Sequence, residues 1–440
     1  MTTPACPPAQ PPSTALLTDH YELTMLQAAL RSDTAGRRCV FEVFARRLPE
    51  GRRYGVVAGT GRLLDAIEAF CFGPAELEQL AGVVDDATLD VLRGWRFTGS
   101  IWGYAEGECF FPGSPLLRVE SSFAEAVVLE TLLLSILNHD CAVAAAASRM
   151  TAAAGDRPCI EMGSRRTHER AAVAAARAAY VAGFATTSNL EAGRSYGVPT
   201  AGTAAHAFTL LHDDERAAFA AQVDSLGAGT TLLVDTYDVA AAVRTAVEVA
   251  GTDLGAVRLD SGDLVVQAFQ VRRQLDELGA TKTRIIVTSD LDEHAIAALA
   301  AAPVDGYGVG TSLVTGSGAP TAGLVYKLVA REGADGELIG VAKHSKDKVS
   351  VAGRKWALRR RGPDGIDQAE VVGIGHQPSD DGDDRPLLVE LVCDGEVVGR
   401  EPLAAARERH FASRAALPAS ALQLSKGEPA IPTVYEQEHP

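Results

Sequence analysis

The hydrophobic and polar positions fall into three stretches of different rhythm. Over 19–31 apolar side chains recur at helical spacing, and Thr18 or Asp19 stands where a helix N-cap belongs. Residues 40–44 alternate and are rich in β-formers, which predicts a strand; 55–58 is a short apolar run followed by a helix through 70. Between 99 and 120 several short β-like runs are separated by Gly and Pro, as in an antiparallel sheet. Residues 123–138 then predict a long apolar helix.

Near Cys141 the rhythm changes. Strand-like runs at 159–162, 185–187, 230–234, 256–259, 284–287 and 306–309 alternate with alanine-rich helices at 170–181, 213–226, 240–249, 263–278 and 291–300. Such alternation predicts a parallel sheet with crossover helices. Six strands, each followed by polar residues, point to an α/β barrel with its site at the C-terminal strand ends; an open doubly wound sheet is the alternative. From about 325 the β-rich, turn-rich character returns. The simplest organisation is discontinuous. A flexible proline-rich tail covers 1–15, one α+β domain is formed by 16–140 and 325–440, and the barrel covers 141–324. The acidic run 379–384 reads as a solvated hairpin tip.

Composition narrows the classes. Of 440 residues 47% are hydrophobic and 22% charged, as expected for a chain that folds into about two domains. The formal net charge of −16 argues against a nucleic-acid partner. An anionic substrate would therefore need a locally basic pocket. Seven dispersed cysteines without C-x-x-C spacing fit neither a zinc site nor a disulfide framework. The tail lacks the basic head and apolar core of a signal peptide. The most apolar stretch, 126–137, contains Glu130 and reads as too short to span a bilayer. No membrane partner and a cytoplasmic location are the expectations.

Six polar clusters follow the predicted strands: 163–166 (GSRR), 202–206 (GTAAH), 235–238 (DTYD), 258–263 (RLDSGD), 289–290 (SD) and 308–312 (GVGTS). Singly, each fits ordinary turn and cap chemistry, and Asp263 suits a cap best. Together they converge, because successive βα loops of a barrel share one face. The set supplies arginines, carboxylates and a glycine-rich turn, which suits a polyanionic, metal-bound substrate. Backbone N–H groups at Gly310 and Thr311 can cradle a phosphate, with the Thr311 hydroxyl as a further donor. Arg165 or Arg166 can stabilise a leaving pyrophosphate, and Asp235 and Asp260 are candidates for a metal or for ribose hydroxyls. Two other motifs fail. In 56–61 (VVAGTG) the third glycine of a dinucleotide fingerprint is replaced by Leu64, and 232–238 (LLVDTYD) lacks the acidic pair and Thr-Gly of type I phosphoribosyltransferases. No G-x-x-x-x-G-K-[ST] occurs, so any ATP use would not rely on a P-loop.

Taken in order, TDHYELTM (18–25), FEVFARRLP (41–49), the arginine pair in 163–168, GTAAHAF (202–208), VDTYD (234–238), VRLDSGD (257–263) and GYGVGTSLVT (306–315) make the chain resemble the type II nicotinate phosphoribosyltransferases. The resemblance runs from Thr18 to about Val329, more weakly beyond. It implies an irregular α/β barrel plus an α+β sandwich domain formed by both chain ends. It implies ATP-coupled transfer of phosphoribosyl from 5-phosphoribosyl pyrophosphate to nicotinate in NAD salvage, with Mg²⁺. On this resemblance His206 matches the family's phosphorylated histidine, and Tyr21, Thr203 and Arg258 match its nicotinate contacts. Thr311 matches a donor contact, with Gly310, Arg165, Arg166, Asp260 and Ser289 expected beside it and Asp235 as a metal ligand. The family's homodimer implies that Tyr21 reaches the partner's site. The residues by themselves leave other readings. Tyr21 shares helical spacing with Met25 and Ala28 and can be core; His206 can be a hydrogen-bonded barrel histidine. The alternative functions are quinolinate or nicotinamide phosphoribosyltransferase, or a phosphate-binding barrel of another class.

Overall fold

A computed structural model describes residues 12–343 and 350–437. Residues 1–11 of the expected tail, with Cys6, lie outside them. Ser13 and Thr14, at the end of that stretch, donate to the carbonyls of Cys71 and Ala66 at 2.5 and 2.6 Å. Two compact units form. One takes the chain up to His139, Thr321–Ala421 and the segment from Gly427; the other takes Asp140–Pro320 and Leu422–Lys426.

The N-terminal part supplies α1 (His20–Arg31), β1 (Arg38–Ala45), β2 (Gly55–Val56), α2 (Thr60–Glu68), α3 (Pro74–Leu80), α4 (Asp86–Arg93), β3 (Ser100–Tyr104), β4 (Cys109–Phe110), β5 (Leu117–Ser122), α5 (Phe123–Ala126) and α6 (Glu130–Ala154). Asp19 is the N-cap position of α1 but its side chain makes no cap bond. The Thr18 hydroxyl instead donates to Glu22, four residues on. The long helix corrects the sequence reading. Helix continues past 138 to Ala154, because Asp140 is buried rather than a polar break and the following alanines favour helix. The helical chain from Phe123 to Ala154 is long and apolar enough to cross a membrane, contrary to the length expected; 61% of its most apolar window is buried within the protein, as in a core helix.

The second unit contains β6 (Cys159–Glu161), α7 (Glu169–Val181), β7 (Thr186–Thr187), α8 (Leu190–Tyr196), α9 (His206–Leu211), α10 (Glu215–Leu226), β8 (Thr231–Leu233), α11 (Val239–Ala250), β9 (Ala256–Leu259), α12 (Leu264–Glu277), β10 (Arg284–Val287), α13 (Glu293–Ala298), β11 (Gly306–Val309) and α14 (Thr311–Val314). All six expected strands form. They pair in parallel in the order β7-β6-β11-β10-β9-β8. That order is the chain order wrapped into a ring and left open between β7 and β8, a curled half-barrel. The strands hold because Val257, Leu259, Ile285, Val287, Tyr307 and Val309 are fully buried between the helices and the interior. Four aspartates, Asp214, Asp238, Asp263 and Asp292, cap the helices after them by accepting from Ala217, Ala241, Val266 and Ala295 N–H groups.

The C-terminal part adds β12 (Leu324–Glu332), β13 (Leu338–Gly340), β14 (Lys355–Arg361), β15 (Asp367–Ile374), β16 (Arg385–Pro386), β17 (Leu388–Cys393), β18 (Glu396–Val397), α15 (Leu403–Ala415) and β19 (Thr433–Gln437). Both chain ends build one sheet, ordered β13-β12-β1-β5-β3-β17-β18, beside a second ordered β16-β14-β15-β19. The alternation expected of β1 gives no exposed face. Flanked by β5 and β12, it is buried at seven of eight positions. Phe41 stacks on Tyr326 at 4.7 Å. Several buried charges in this unit are paired: Lys355 Nζ lies 2.8 Å from Glu42, and Arg359 lies between Asp367 (3.2 Å) and Glu370 (3.0 Å).

Candidate active site

A cavity of about 280 Å³ opens at the C-terminal ends of the half-barrel strands. Met162, Arg165 and Arg166 enter it after β6, Arg258 and Asp260 from β9, Thr288, Ser289 and Asp290 after β10, and Gly308, Gly310 and Thr311 from β11 and α14. Seven of the residues expected from sequence are thus brought to one wall: Arg165, Arg166, Arg258, Asp260, Ser289, Gly310 and Thr311. The convergence follows from the parallel sheet, which delivers every βα loop to the same edge.

Local structure explains each placement. The loop after β6 turns on Glu161, fully buried, which accepts from the Gly163 N–H and the Thr187 hydroxyl. Burial pushes the Glu161 carboxyl upward. Gly163 has no space for a side chain, since a Cβ there would lie 2.2 Å from Val314. The two arginines beyond it are exposed. Ser289 adopts φ +126°, a costly conformation for a residue with a side chain, at the cavity wall. Gly310 precedes α14, so the first N–H groups of that turn and the Thr311 side chain sit at the cavity.

Arg258 Nη1 donates to the Thr203 hydroxyl at 2.9 Å, which ties the 202–206 loop to β9. Its Nε is buried and has no hydrogen-bond partner. Burial pulls the Arg258 pKa down, while Asp260 and Asp235 push it back up and Arg165 lowers it again; an arginine stays cationic throughout. Asp235 is turned inward, its side chain 2% exposed. Asp235 Oδ2 accepts from the Asp260 N–H (2.9 Å) and the Ser261 hydroxyl (2.7 Å), while Oδ1 is buried without a partner. Asp260 in turn accepts from the Thr288 hydroxyl.

His206, the first residue of α9, stands beside this group. Its Nδ1 lies 3.1 Å from the Thr236 hydroxyl, and its Nε2 lies 3.9 Å from Asp235 and 4.0 Å from Asp260. With 40% of its side chain exposed, it is not a core histidine. Next to it Thr203, Ala204, Ala205 and Phe208 line a separate, largely apolar groove with α10. Tyr21 belongs to the first unit. It is 45% exposed, as is the rest of its helical stripe, Met25 and Ala28, so the core reading of Tyr21 is overturned.

The sequence reading gave no role to Met162, Thr288, Asp290 or Gly308. Asp290 and Gly308 lay within clusters already singled out; Met162 and Thr288 stand immediately before two of those clusters. The acidic loop brings Asp380, Asp381 and Asp384 carboxylates within 4.8 Å of one another, with Asp384 paired to Arg360.

Fold and site together define a half-barrel protein with a basic pocket at its strand ends. Residues 16–138 match the family model of the nicotinate phosphoribosyltransferase N-terminal domain. Nicotinate phosphoribosyltransferase pncB1 of Mycobacterium tuberculosis (strain CDC 1551 / Oshkosh) is 61% identical over 427 residues, 95% of this chain and 94% of that protein. The Homo sapiens nicotinate phosphoribosyltransferase is 30% identical over 441 residues, 84% of this chain and 81% of its own length. The crystal structure of human nicotinic acid phosphoribosyltransferase superposes with a TM-score of 0.82 at 26% identity, covering 95% of this chain and 97% of that one. The chain belongs to the nicotinate phosphoribosyltransferase family.

Proposed function

We propose that this chain transfers phosphoribosyl from 5-phosphoribosyl pyrophosphate to nicotinate, giving nicotinate mononucleotide and pyrophosphate in NAD salvage in the cytoplasm, and couples the transfer to ATP hydrolysis. The observation that carries the choice of nicotinate is Arg258. The half-buried Arg258 lines the cavity and spends an Nη1 N–H on Thr203, which leaves other guanidinium donors in need of an acceptor. A carboxylate answers that need and a neutral amide does so less well. Thr203, already bonded to Arg258, orders the same edge of the pocket.

In the reaction the pyridine nitrogen attacks the anomeric carbon and the bond to pyrophosphate breaks, through an oxocarbenium-like sugar. No protein nucleophile is needed for that step. The protein's task is to hold anionic pieces in line and to receive the leaving charge. Arg165 and Arg166 supply positive charge on one side; Gly310 and Thr311 supply N–H and hydroxyl donors for a phosphate on another. Ser289, after the neighbouring strand β10, adds a further donor.

The donor set suits Mg²⁺, which prefers hard oxygen ligands. Asp260 and Asp290 present carboxylates to the cavity, and Asp235 Oδ1 is a buried carboxylate oxygen without a partner. These residues would hold the ion, which supplies charge neutralisation for the pyrophosphate. His206 is proposed as the phosphoryl acceptor from ATP, supported by its exposure and its place beside the buried Asp235 and the cavity residue Asp260. The exposed Tyr21 is proposed to complete a partner's site in a homodimer, stacking on the pyridine ring.

The test is pyrophosphate release with nicotinate, nicotinamide and quinolinate as alternative acceptors, with and without ATP. Nicotinate is expected to be turned over fastest and ATP to stimulate it. Equal turnover of nicotinamide, or carbon dioxide release with quinolinate, would overturn the assignment.

A further inference from the structure

Four helices of the half-barrel are capped by aspartates, which as carboxylates only accept hydrogen bonds. Helix α8 is capped by Asn189 instead. Its Oδ1 accepts from the Ala192 N–H at 2.9 Å; a backbone N–H can only donate, so the other amide atom is Nδ2. That Nδ2 donates to the Ser164 hydroxyl oxygen at 3.0 Å, in the loop after the neighbouring strand β6. An aspartate would close the helix end as well; the amide adds N–H donors that the cap itself does not use.

The bond to Ser164 completes a circuit. The Asn189 N–H donates to the Thr187 hydroxyl oxygen at 2.9 Å, the Thr187 hydroxyl donates to Glu161, and Glu161 accepts from the Gly163 N–H. Glu161 and Thr187 are fully buried. Gly163 begins a turn closed by the Arg166 N–H on the Gly163 carbonyl at 2.8 Å, with Ser164 and Arg165 as its central residues. The turn is thus held at two successive residues, Gly163 from Glu161 and Ser164 from Asn189. Gly163 also lies against Val314 and the Gly310 carbonyl, with no room for a Cβ. Arg165 and Arg166 stand on this turn at the cavity wall, exposed and without an ion pair among the described residues.

We propose that Asn189 is a positioning residue for the phosphoribosyl donor: through Ser164 it fixes the turn that presents Arg165 and Arg166 to the donor's phosphates. The proposal rests on the reading of these arginines, with Gly310 and Thr311, as the binding site of 5-phosphoribosyl pyrophosphate. A long guanidinium side chain loses rotamer freedom when it meets a phosphate, and a loose backbone beneath it adds to that loss. One anchor, at Gly163, lets the turn rotate about it; the second, at Ser164, stops the rotation before the ligand arrives. In the same reading nicotinate meets Arg258 and Thr203, which the circuit does not touch, so the effect falls on the phosphoribosyl donor.

The experiment uses the full-length protein and measures nicotinate-dependent pyrophosphate release at varied 5-phosphoribosyl pyrophosphate and at varied nicotinate. Wild type is compared with Ser164→Ala, Asn189→Ser and the two changes together. Serine caps a helix about as well as asparagine but is too short to reach Ser164, so Asn189→Ser separates the cap from the bond between the loops. Each single change should raise KM for 5-phosphoribosyl pyrophosphate roughly 3- to 10-fold, the worth of one hydrogen bond, and leave KM for nicotinate within about twofold. Because both remove the same bond, the double variant should be no worse than either single one. Tm should stay at the wild-type value throughout, since the cap survives. Four results overturn the proposal and leave the parent reading standing: a KM for 5-phosphoribosyl pyrophosphate within about twofold of wild type in either single variant, an equal rise for nicotinate, losses that multiply in the double variant, or a Tm that falls in step with the rise in KM. Absence of nicotinate-dependent pyrophosphate release by wild type overturns the parent reading and this proposal with it.

Discussion

Replacing Arg258 by alanine removes a half-buried guanidinium that bonds Thr203 and lines the cavity. Its Nη1 is already used by Thr203 and its Nε is buried, so the donors left for a carboxylate are the remaining Nη N–H groups. A hydrogen bond to a charged group is worth about 1.5–3 kcal/mol, which converts to a roughly 10- to 150-fold loss of nicotinate affinity. Nicotinamide, lacking the carboxylate, should lose far less, so the preference for the acid over the amide narrows. Stability should change less than in the usual core truncation. The ligand-free protein loses an orphaned buried donor along with the side chain, so Tm should fall little. Arg258→Lys keeps a point charge without the planar fork and should fall between wild type and alanine. Equilibrium binding of nicotinate and nicotinamide by calorimetry, with Tm measured on the same samples, reads all of this. Nicotinate affinity within about threefold of wild type, ~0.7 kcal/mol, in a folded Arg258→Ala protein would refute the reasoning. So would an equal loss for nicotinamide.

Gly308→Ala would set a Cβ 2.4 Å from Thr288 and 2.8 Å from Met162; overpacking should cost about 1–3 kcal/mol in urea unfolding and, by shifting Thr288 off Asp260, reduce turnover, and full activity at unchanged stability would contradict it. His410 is fully buried, its Nδ1 3.2 Å from the Gly107 carbonyl, and burial first, then Arg414, lowers its pKa from 6.5 to about 3. The folded protein therefore keeps it neutral where the unfolded chain protonates it, so stability is full above about 6.5 and is lost as pH falls toward 3, by at most ~1.4 kcal/mol per pH unit. His410→Leu should flatten that slope in urea titrations run across the range, and an unchanged slope would exclude the assignment. Lys355→Ala strands the buried Glu42 carboxylate and should cost about 3–5 kcal/mol, while the double change Lys355→Met with Glu42→Leu should recover most of it in denaturant unfolding. Mixing inactive Tyr21→Ala with inactive His206→Ala protein should restore part of the activity, because a hybrid dimer holds one intact site; no recovery after proven subunit exchange would exclude shared sites.

Much of the half-barrel was legible because its signals are local. Short apolar runs such as 256–259 and 284–287, followed by Asp260 and by Thr288-Ser289-Asp290, become strands at the expected positions. Parallel strands buried on both faces need continuous apolar runs, and that pattern survives in one dimension. The ends of α6 were not legible. A His-Asp pair reads as a break until burial of Asp140 is known. Helix α9 was hidden for the same reason, since 202–208 has neither apolar periodicity nor a capping side chain before His206.

The candidate site divides along the same line. The residue types needed for an anionic, metal-bound ligand, and their place after successive strands, were written in the sequence, since chain order alone puts βα loops on one edge. The cap role of Asp263 was legible as well; that of Asp238 was not. Asp235, Asp238, Asp260 and Asp263 stand in two similar motifs, yet Asp238 and Asp263 cap helices while Asp235 and Asp260 turn toward His206. That choice depends on where the strand stops and the helix begins in space, to within a single residue. The contact from Thr236 to His206 joins residues 30 apart in the chain, and Arg258 meets Thr203 across 55. No periodicity encodes such separations; they exist only once the strands have curled and brought their loops together.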